Sequence, residues 1–288
     1  MHTSAARVSQ DKLDILALLF DDDTFVNSEG DIVPALWHWA ALSEWAQHSA
    51  LRFDGHPRTV APPIAGFGAS RRLFGGGEIR IESPLVLGQS LQLGREVVEV
   101  TTKQGNSGEF VLVKEEITAY DEVGMAIVFT ERQNVVYRRL EDQQVPDAIQ
   151  TAAPSLPVYE KPIEQVDDLH WRVRTDPVML MRFSAATSNS HRIHYDRTYA
   201  STVEGHSGLV VHGPFMTLAM ADVLRKSYPG RAFRSMNYRH SSPLYCGEEA
   251  YIRMVETDSE HSFALQLYSQ QLGAAREIIH STLAASVL

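Results

Sequence analysis

The sequence predicts an α+β protein of two tandem modules, each an antiparallel sheet wrapped around a central helix. Three observations carry this. A seventeen-residue stretch recurs 159 positions later, three strand-like runs follow each copy, and a long apolar helix precedes the second copy. The 288 residues suit two modules, since a domain takes about 150.

The repeat comes first. Arg72, Phe74, Arg80, Ser83-Pro84-Leu85 and Gly88 recur as Arg231, Phe233, Arg239, Ser242-Pro243-Leu244 and Gly247, seven identities without a gap. In Ser-Pro-Leu-x-x-Gly the proline removes a ladder donor and the glycine permits a tight turn, which suits the start of a strand. Residues 91–100, 109–119 and 125–137 follow the first copy; 251–257, 262–270 and 275–287 follow the second. All alternate with period two between Gly, Asp or Ser turns. Residues 143–162, with four prolines, read as a linker, so the modules span 1–142 and 163–288. Gly75-Gly76-Gly77 lacks the Lys-Ser/Thr ending of a phosphate loop and reads as a turn opening a strand.

The helices come next. Residues 36–46, with Trp37, Trp39 and Trp45, predict a helix in the first module, its tryptophans in the core. Residues 178–187 predict another. His212-Gly213-Pro214 then opens 215–224, apolar on nearly every face and therefore buried; proline at a first helical position loses no bond. A long buried helix wrapped by antiparallel strands is the hot-dog arrangement, and two copies side by side make a double hot-dog.

Composition narrows the function. A formal net charge of −10 makes nucleic acid a poor partner. The single cysteine, Cys246, excludes an internal disulfide framework and any Cys-rich zinc module. The apolar run 15–20, between Asp14 and Asp21, is far short of the ~20 residues a membrane span needs. No secretory signal is read at the N-terminus, so a cytoplasmic protein is expected.

The chemistry concentrates in module two, at Asn189, His191, His194, His206 and His212-Gly213. This region resembles the MaoC-like hydratases and dehydratases of acyl thioesters. Their motif is a helix ending in Thr-Gly-Asp, one residue, Asn-Pro, one residue, then the catalytic His. His194 takes the catalytic position, Asn189 that of the Asp, His191 that of the Asn and Arg192 that of the Pro. These departures resemble one branch, the type 2 hydroxyacyl-thioester dehydratases with the mesaconyl-C4-CoA or itaconyl-CoA hydratases. The likeness extends through His194-Tyr195-Asp196-Arg197, Glu204-Gly205 and 208–214. In module one it includes Leu36-Trp37-His38-Trp39, Asp54-Gly55-His56-Pro57 and Arg71-Arg72, so it covers roughly 32–288.

The resemblance implies hydration of an enoyl-CoA, which fits the residues. His194, with a pKa expected near neutrality, can activate water and return a proton to the α-carbon. The Gly213 N–H, at a helix start, can stabilise negative charge on the thioester oxygen, unless that glycine serves packing alone. Asn189 either holds water or thioester, or ends its helix; His191 or Asp196 orients His194. His212 and Trp37 are candidate acyl-pocket residues. Arg71 and Arg72 are candidates for a substrate carboxylate, and Arg231, Arg234 and Arg239 for CoA phosphates, against the plainer reading of solvated surface cations. No metal or cofactor is expected, and a homodimer is. The preferred reaction is itaconyl-CoA (or mesaconyl-C4-CoA) to citramalyl-CoA. The rivals are a 3-hydroxyacyl-thioester dehydratase of fatty-acid synthesis and a non-catalytic acyl-thioester-binding protein.

Overall fold

A computed structural model describes residues 2–22, 28–57, 70–105, 108–139, 160–257, 261–270 and 277–287. Residues 143–159 of the expected linker lie outside the described residues. The first half contains β1 (His2–Arg7), α1 (Gln10–Leu19), α2 (His38–Ala41), β2 (Ser70–Ile81), β3 (Ser90–Gly105), β4 (Gly108–Asp121) and β5 (Ile127–Arg139). The second contains β6 (Ile163–Gln165), β7 (His170–Val173), α3 (Pro177–Ala186), α4 (Arg197–Thr202), α5 (Gly213–Ser227), β8 (Phe233–His240), β9 (Ala250–Val255), β10 (Ser262–Gln270) and β11 (Glu277–Val287).

The strands form one antiparallel sheet in the order β1-β3-β4-β5-β2-β8-β11-β10-β9-β7-β6. Its middle reads alike from either side: β3-β4-β5-β2 faces β8-β11-β10-β9. The seam carries the symmetry of the repeat. Glu78 pairs with Asn237, its own counterpart 159 residues on, and Gly76↔Arg239 is the image of Arg80↔Ser235. A local twofold therefore passes between Glu78 and Asn237. This is the double hot-dog, with α5 as its central helix: every residue from Phe215 to Leu224 is buried.

Two sequence expectations are corrected. Gly75-Gly76-Gly77 lies inside β2, at a bulge between Phe74 and Gly76, and does not open the strand. There β2 is clamped between β5 and β8. A Cβ on Gly76 (φ +128°) would stand 2.3 Å from the Tyr238 carbonyl oxygen, so only glycine fits. The helix expected over 36–46 shrinks to the single turn α2. Leu36 sits at φ +69°, and Ser43 Oγ bonds the Ala186 carbonyl at 3.3 Å and Ser188 Oγ at 3.0 Å, which draws the chain away. His38 and Trp39 both donate to the buried carboxylate of Glu131, each at 2.9 Å. Trp37 is in the core, but Trp45 is 62% exposed.

Candidate active site

Asp176 starts α3 by accepting the Val178 and Met179 amides at 2.8 and 3.0 Å, and α3 ends at Ala186. Ser188, where the family motif has glycine, takes a left-handed φ of +51°. The Asn189 amide donates to the Ser184 carbonyl, and its Oδ1 accepts the His191 amide at 3.1 Å. Asn189 thus closes the loop behind α3, matching the helix-ending alternative. A 3-10 turn, Arg192–His194, follows. Arg192 pairs with Asp196 at 2.8 Å, and Asp196 caps α4 through the Tyr199 amide.

This frame buries His194. Its Nδ1 lies 2.7 Å from the Val210 carbonyl oxygen. A carbonyl only accepts, so Nδ1 carries the proton and Nε2 keeps its lone pair. The orienting group is therefore a backbone carbonyl, neither His191 nor Asp196. Burial holds the His194 pKa well below its ordinary value, with His212 and His191 adding to the effect. The His212 ring stacks on it, centroids 3.5 Å apart. His212 Nε2 bonds Ser184 Oγ at 2.8 Å, while its buried Nδ1 has no hydrogen-bond partner. Burial lowers the His212 pKa to about 3.

His191 turns away from His194, its ring perpendicular, and donates Nε2–H to Glu204 Oε1 at 3.0 Å. Tyr199 donates to the same oxygen at 2.9 Å. Burial alone would raise the Glu204 pKa, but the donors His191 and Tyr199, with His206 Nε2 3.8 Å away, bring it well below the carboxylate range. Glu204 is fully buried and ionised.

The first half supplies the far wall. Ser190 Oγ bonds the Gly55 carbonyl, and the Arg192 amide bonds the Asp54 carbonyl at 2.9 Å, which lays residues 52–57 on the histidine loop. A Cβ on Gly55 (φ +90°) would come within 2.0 Å of the Ser190 carbonyl oxygen. His56 faces His191, ring centroids 4.2 Å apart. Burial, with His191 next in effect, lowers the His56 pKa to about 3. The donor atoms of Asp54, His56 and His191 lie within 4.8 Å of one another, a spacing that could also hold a cation. Positive charge is already there: Arg52 Nε is 3.5 Å from Asp54 Oδ2, and Arg72 Nη1 is 3.3 Å from His56 Nε2. We therefore read an ion-pair network.

The structure brings Asn189, His191, His194, His212 and Gly213 together. Arg72 reaches them through His56, and Arg71 through the Glu204 carbonyl at 3.2 Å. A Cβ added to Gly213 would stand 3.0 Å from His240 Cδ2 and 3.3 Å from Phe74 Cδ1. Trp37 and Arg231 line a separate cavity, and Arg234 and Arg239 are exposed on β8. Sequence reasoning assigned no role to Glu204, Asp54 or His56, although all three stood in the motifs of the resemblance. Burial raises the Cys246 thiol to about 12, which leaves it protonated.

The family model described as "Hydroxyacyl-thioester dehydratase type 2" matches residues 36–246. A mesaconyl-C(4)-CoA hydratase of Chloroflexus aurantiacus is 37% identical over 215 residues, 74% of this chain and 71% of that one. The mitochondrial hydroxyacyl-thioester dehydratase type 2 of Schizosaccharomyces pombe is 23% identical over 246 residues, 77% of each chain. Among solved structures, a MaoC-like dehydratase from Phytophthora capsici superposes with a TM-score of 0.66 at 18% identity, over 99% of this chain and 94% of that one, and shares the fold. Three-quarters of the chain thus aligns with a hydratase at 37% identity, and the family model spans both the histidine loop and the start of α5: the chain belongs to the hydroxyacyl-thioester dehydratase type 2 family.

Proposed function

We propose that the protein hydrates an unsaturated C5-dicarboxylyl-CoA thioester, forming citramalyl-CoA from mesaconyl-C4-CoA directly, or from itaconyl-CoA once its double bond has moved into conjugation. The observation that carries this is the His194 tautomer, fixed by the Val210 carbonyl, beside the first turn of α5. His194 Nε2 takes a proton from water, and the hydroxide oxygen bonds to the β-carbon. The double-bond electrons shift to the thioester oxygen, where the Gly213 N–H meets the charge. The enolate then takes the proton back from the imidazolium at its α-carbon, so no co-reactant is needed. His212 Nδ1, buried and without a partner, is a donor or acceptor left for the ligand.

Of the two C5 thioesters, mesaconyl-C4-CoA has its double bond conjugated with the thioester carbonyl. Itaconyl-CoA has it one carbon further away and needs a proton shift first. The named relative also favours mesaconyl-C4-CoA. Arg71 and Arg72, both at the wall of the cluster, are the guanidinium groups for the free carboxylate.

The test follows formation of the hydrated thioester by liquid chromatography with mesaconyl-C4-CoA, itaconyl-CoA and crotonyl-CoA. The proposal expects that order of kcat/KM. A preference for crotonyl-CoA would instead indicate a dehydratase of neutral acyl chains. Binding without turnover of any thioester would leave an acyl-thioester-binding protein.

A further inference from the structure

A cavity of about 650 Å³ lies apart from the histidine cluster and shares none of its described residues. Gly30–His38, part of β2 and the β2–β3 connection, the C-terminal part of α5 and residues 230–233 line it. Its position follows from the internal symmetry. The Val33 amide bonds the Leu85 carbonyl at 2.8 Å, and the Val211 amide bonds the Leu244 carbonyl at 2.8 Å. Leu87 N to Asp31 O and Cys246 N to Leu209 O, both 2.9 Å, are a second matched pair. The bridges Ile32↔Val86 and Val210↔Tyr245 are a third. In each case the strand-side partners stand 159 residues apart. Pro34-Ala35 therefore occupies, in the first half, the place of His212-Gly213 in the second.

The strands agree. Phe74 and His240 are the side chains against Gly213. Their counterparts across the twofold, Phe233 and Ile81, both line the cavity, as does Ala35. The cavity is thus the symmetry image of the active site. Hydrocarbon replaces its polar groups: proline stands for His212 and isoleucine for His240. His38, the one histidine among its described lining residues, already bonds Glu131. Of its carboxylates, Asp222 is paired with Arg225, Asp31 accepts the Ser28 amide and Glu82 is exposed, so no imidazole pair like that of the active site stands among its described lining residues. The apolar walls remain, including Val33, Ile79, Leu85 and Phe129. Arg231, at the exposed rim, is the counterpart of Arg72. The volume falls within the range of about 300–1,000 Å³ usual for small-molecule sites.

We propose that this cavity is a second, non-catalytic site for an acyl chain with an anionic head group, the acyl chain lying in the cavity and the head group at Arg231. It is not an extension of the first. Phe74 and Ile81, which mark the two sites on β2, are seven residues apart, about 23 Å at 3.3 Å per residue. That the head group is a CoA thioester rests on the proposed function; that the cavity takes an acyl chain does not.

Titration calorimetry with octanoyl-CoA, which has no double bond to hydrate, and with octanoate tests this on the full chain. Two octanoyl-CoA molecules per wild-type chain are expected. Ile81→Trp, which fills the cavity, should reduce this to one, with kcat/KM for the hydration substrate within twofold of wild type and an unchanged circular-dichroism spectrum. Arg231→Glu, an exposed change that spares the fold, should weaken the second event at least tenfold. If octanoate fills the cavity and octanoyl-CoA does not, the head group is a free carboxylate and the site stands. A single octanoyl-CoA event that competes with substrate, unaffected by Ile81→Trp and Arg231→Glu and with no event for octanoate, overturns the inference and leaves the hydratase reading intact. Two events in a protein that turns over no thioester would do the reverse.

Discussion

The imidazoles of His194 and His212 lie face to face, 3.5 Å between centroids and 18° between planes. Both are buried, so a proton on either raises the cost of a proton on the other. Burial keeps both rings neutral at ordinary pH, and at His194 the neighbouring His212 adds to it.

The pH dependence of turnover should reflect this. An ordinary histidine base gives an acid limb near pH 6.5. Here kcat should stay flat from pH 8 to below 6.5, because the His194 pKa is depressed and the base remains neutral. His194→Ala should lower kcat by about 10²–10⁴-fold without a change in fold. A kcat limb centred on 6.5, or near-normal kcat in the alanine variant, would remove His194 from the role of base.

Glu204 holds the opposite side of the loop. Its carboxylate gathers His191 and Tyr199, with His206 Nε2 3.8 Å away. Glu204→Ala removes one partner from a buried charged network, and such losses cost about 3–5 kcal/mol. Denaturant unfolding should show that loss, and Glu204→Gln should restore part of it. Equal stability of Glu204→Ala and wild type would refute a structural role for the carboxylate.

Gly55→Ala should be disruptive far beyond its size. The added methyl meets the Ser190 carbonyl oxygen at 2.0 Å, and φ is +90°. We expect a loss of at least about 2 kcal/mol and a fall in kcat, because residues 52–57 also position His56. Ser190→Ala removes only the side-chain hydrogen bond to the Gly55 carbonyl and should cost less on both counts.

Acid should destabilise the fold in two stages. Burial holds His56 and His212 at about 3 and His240 at about 4. All three lie below the unfolded value, so they bind fewer protons folded than unfolded. Their stability is fully present above pH 6.5 and is lost as pH falls toward 4, at up to about 1.4 kcal/mol per histidine per pH unit. Glu204, depressed below its unfolded value, adds a loss at lower pH as it is protonated. Calorimetry should show Tm falling by about 5–10 °C between pH 7 and 5.5. A Tm constant over that interval would contradict the neutral burial of these rings.

A substrate carboxylate clamp at Arg72 predicts selectivity. Arg72→Ala leaves the substrate anion unpaired, which costs about 2–5 kcal/mol in a buried pair. The loss of kcat/KM should appear with mesaconyl-C4-CoA and be small with crotonyl-CoA. Arg72→Lys should recover part, since an ammonium lacks the bidentate fork. Equal losses on both substrates would point to packing against His56.

The repeat made much of the fold legible. The sequence places Ser262–Gln270 to the residue and β11 to within two at its start, because turn residues bound a β-rich run on each side there. α5 was legible for a local reason, the proline at its start, whereas His194 was legible through the motif that resembles the MaoC-like family. Glu204, Asp54 and His56 were not. Their contacts join segments 13 to more than 130 residues apart in sequence, and no spacing encodes such a meeting. The tryptophan-rich stretch 36–46 misled because its composition suits a helix. Its side chains are drawn instead to Glu131 on β5 and to the loop after α3.

The seam between β2 and β8 joins two parts of one polypeptide, and so does the contact of Gly55 with Ser190. Were the halves separate subunits, dilution would part them and empty the site of its far wall. Tethered, they meet at an effective concentration of order millimolar, whatever the amount of enzyme. Covalent joining has a second effect, on inheritance. In a dimer of identical subunits every substitution appears twice, and a histidine lost from one site is lost from both. Within a single chain the copies can part company, and proline at 34 opposite histidine at 212 is what such divergence looks like.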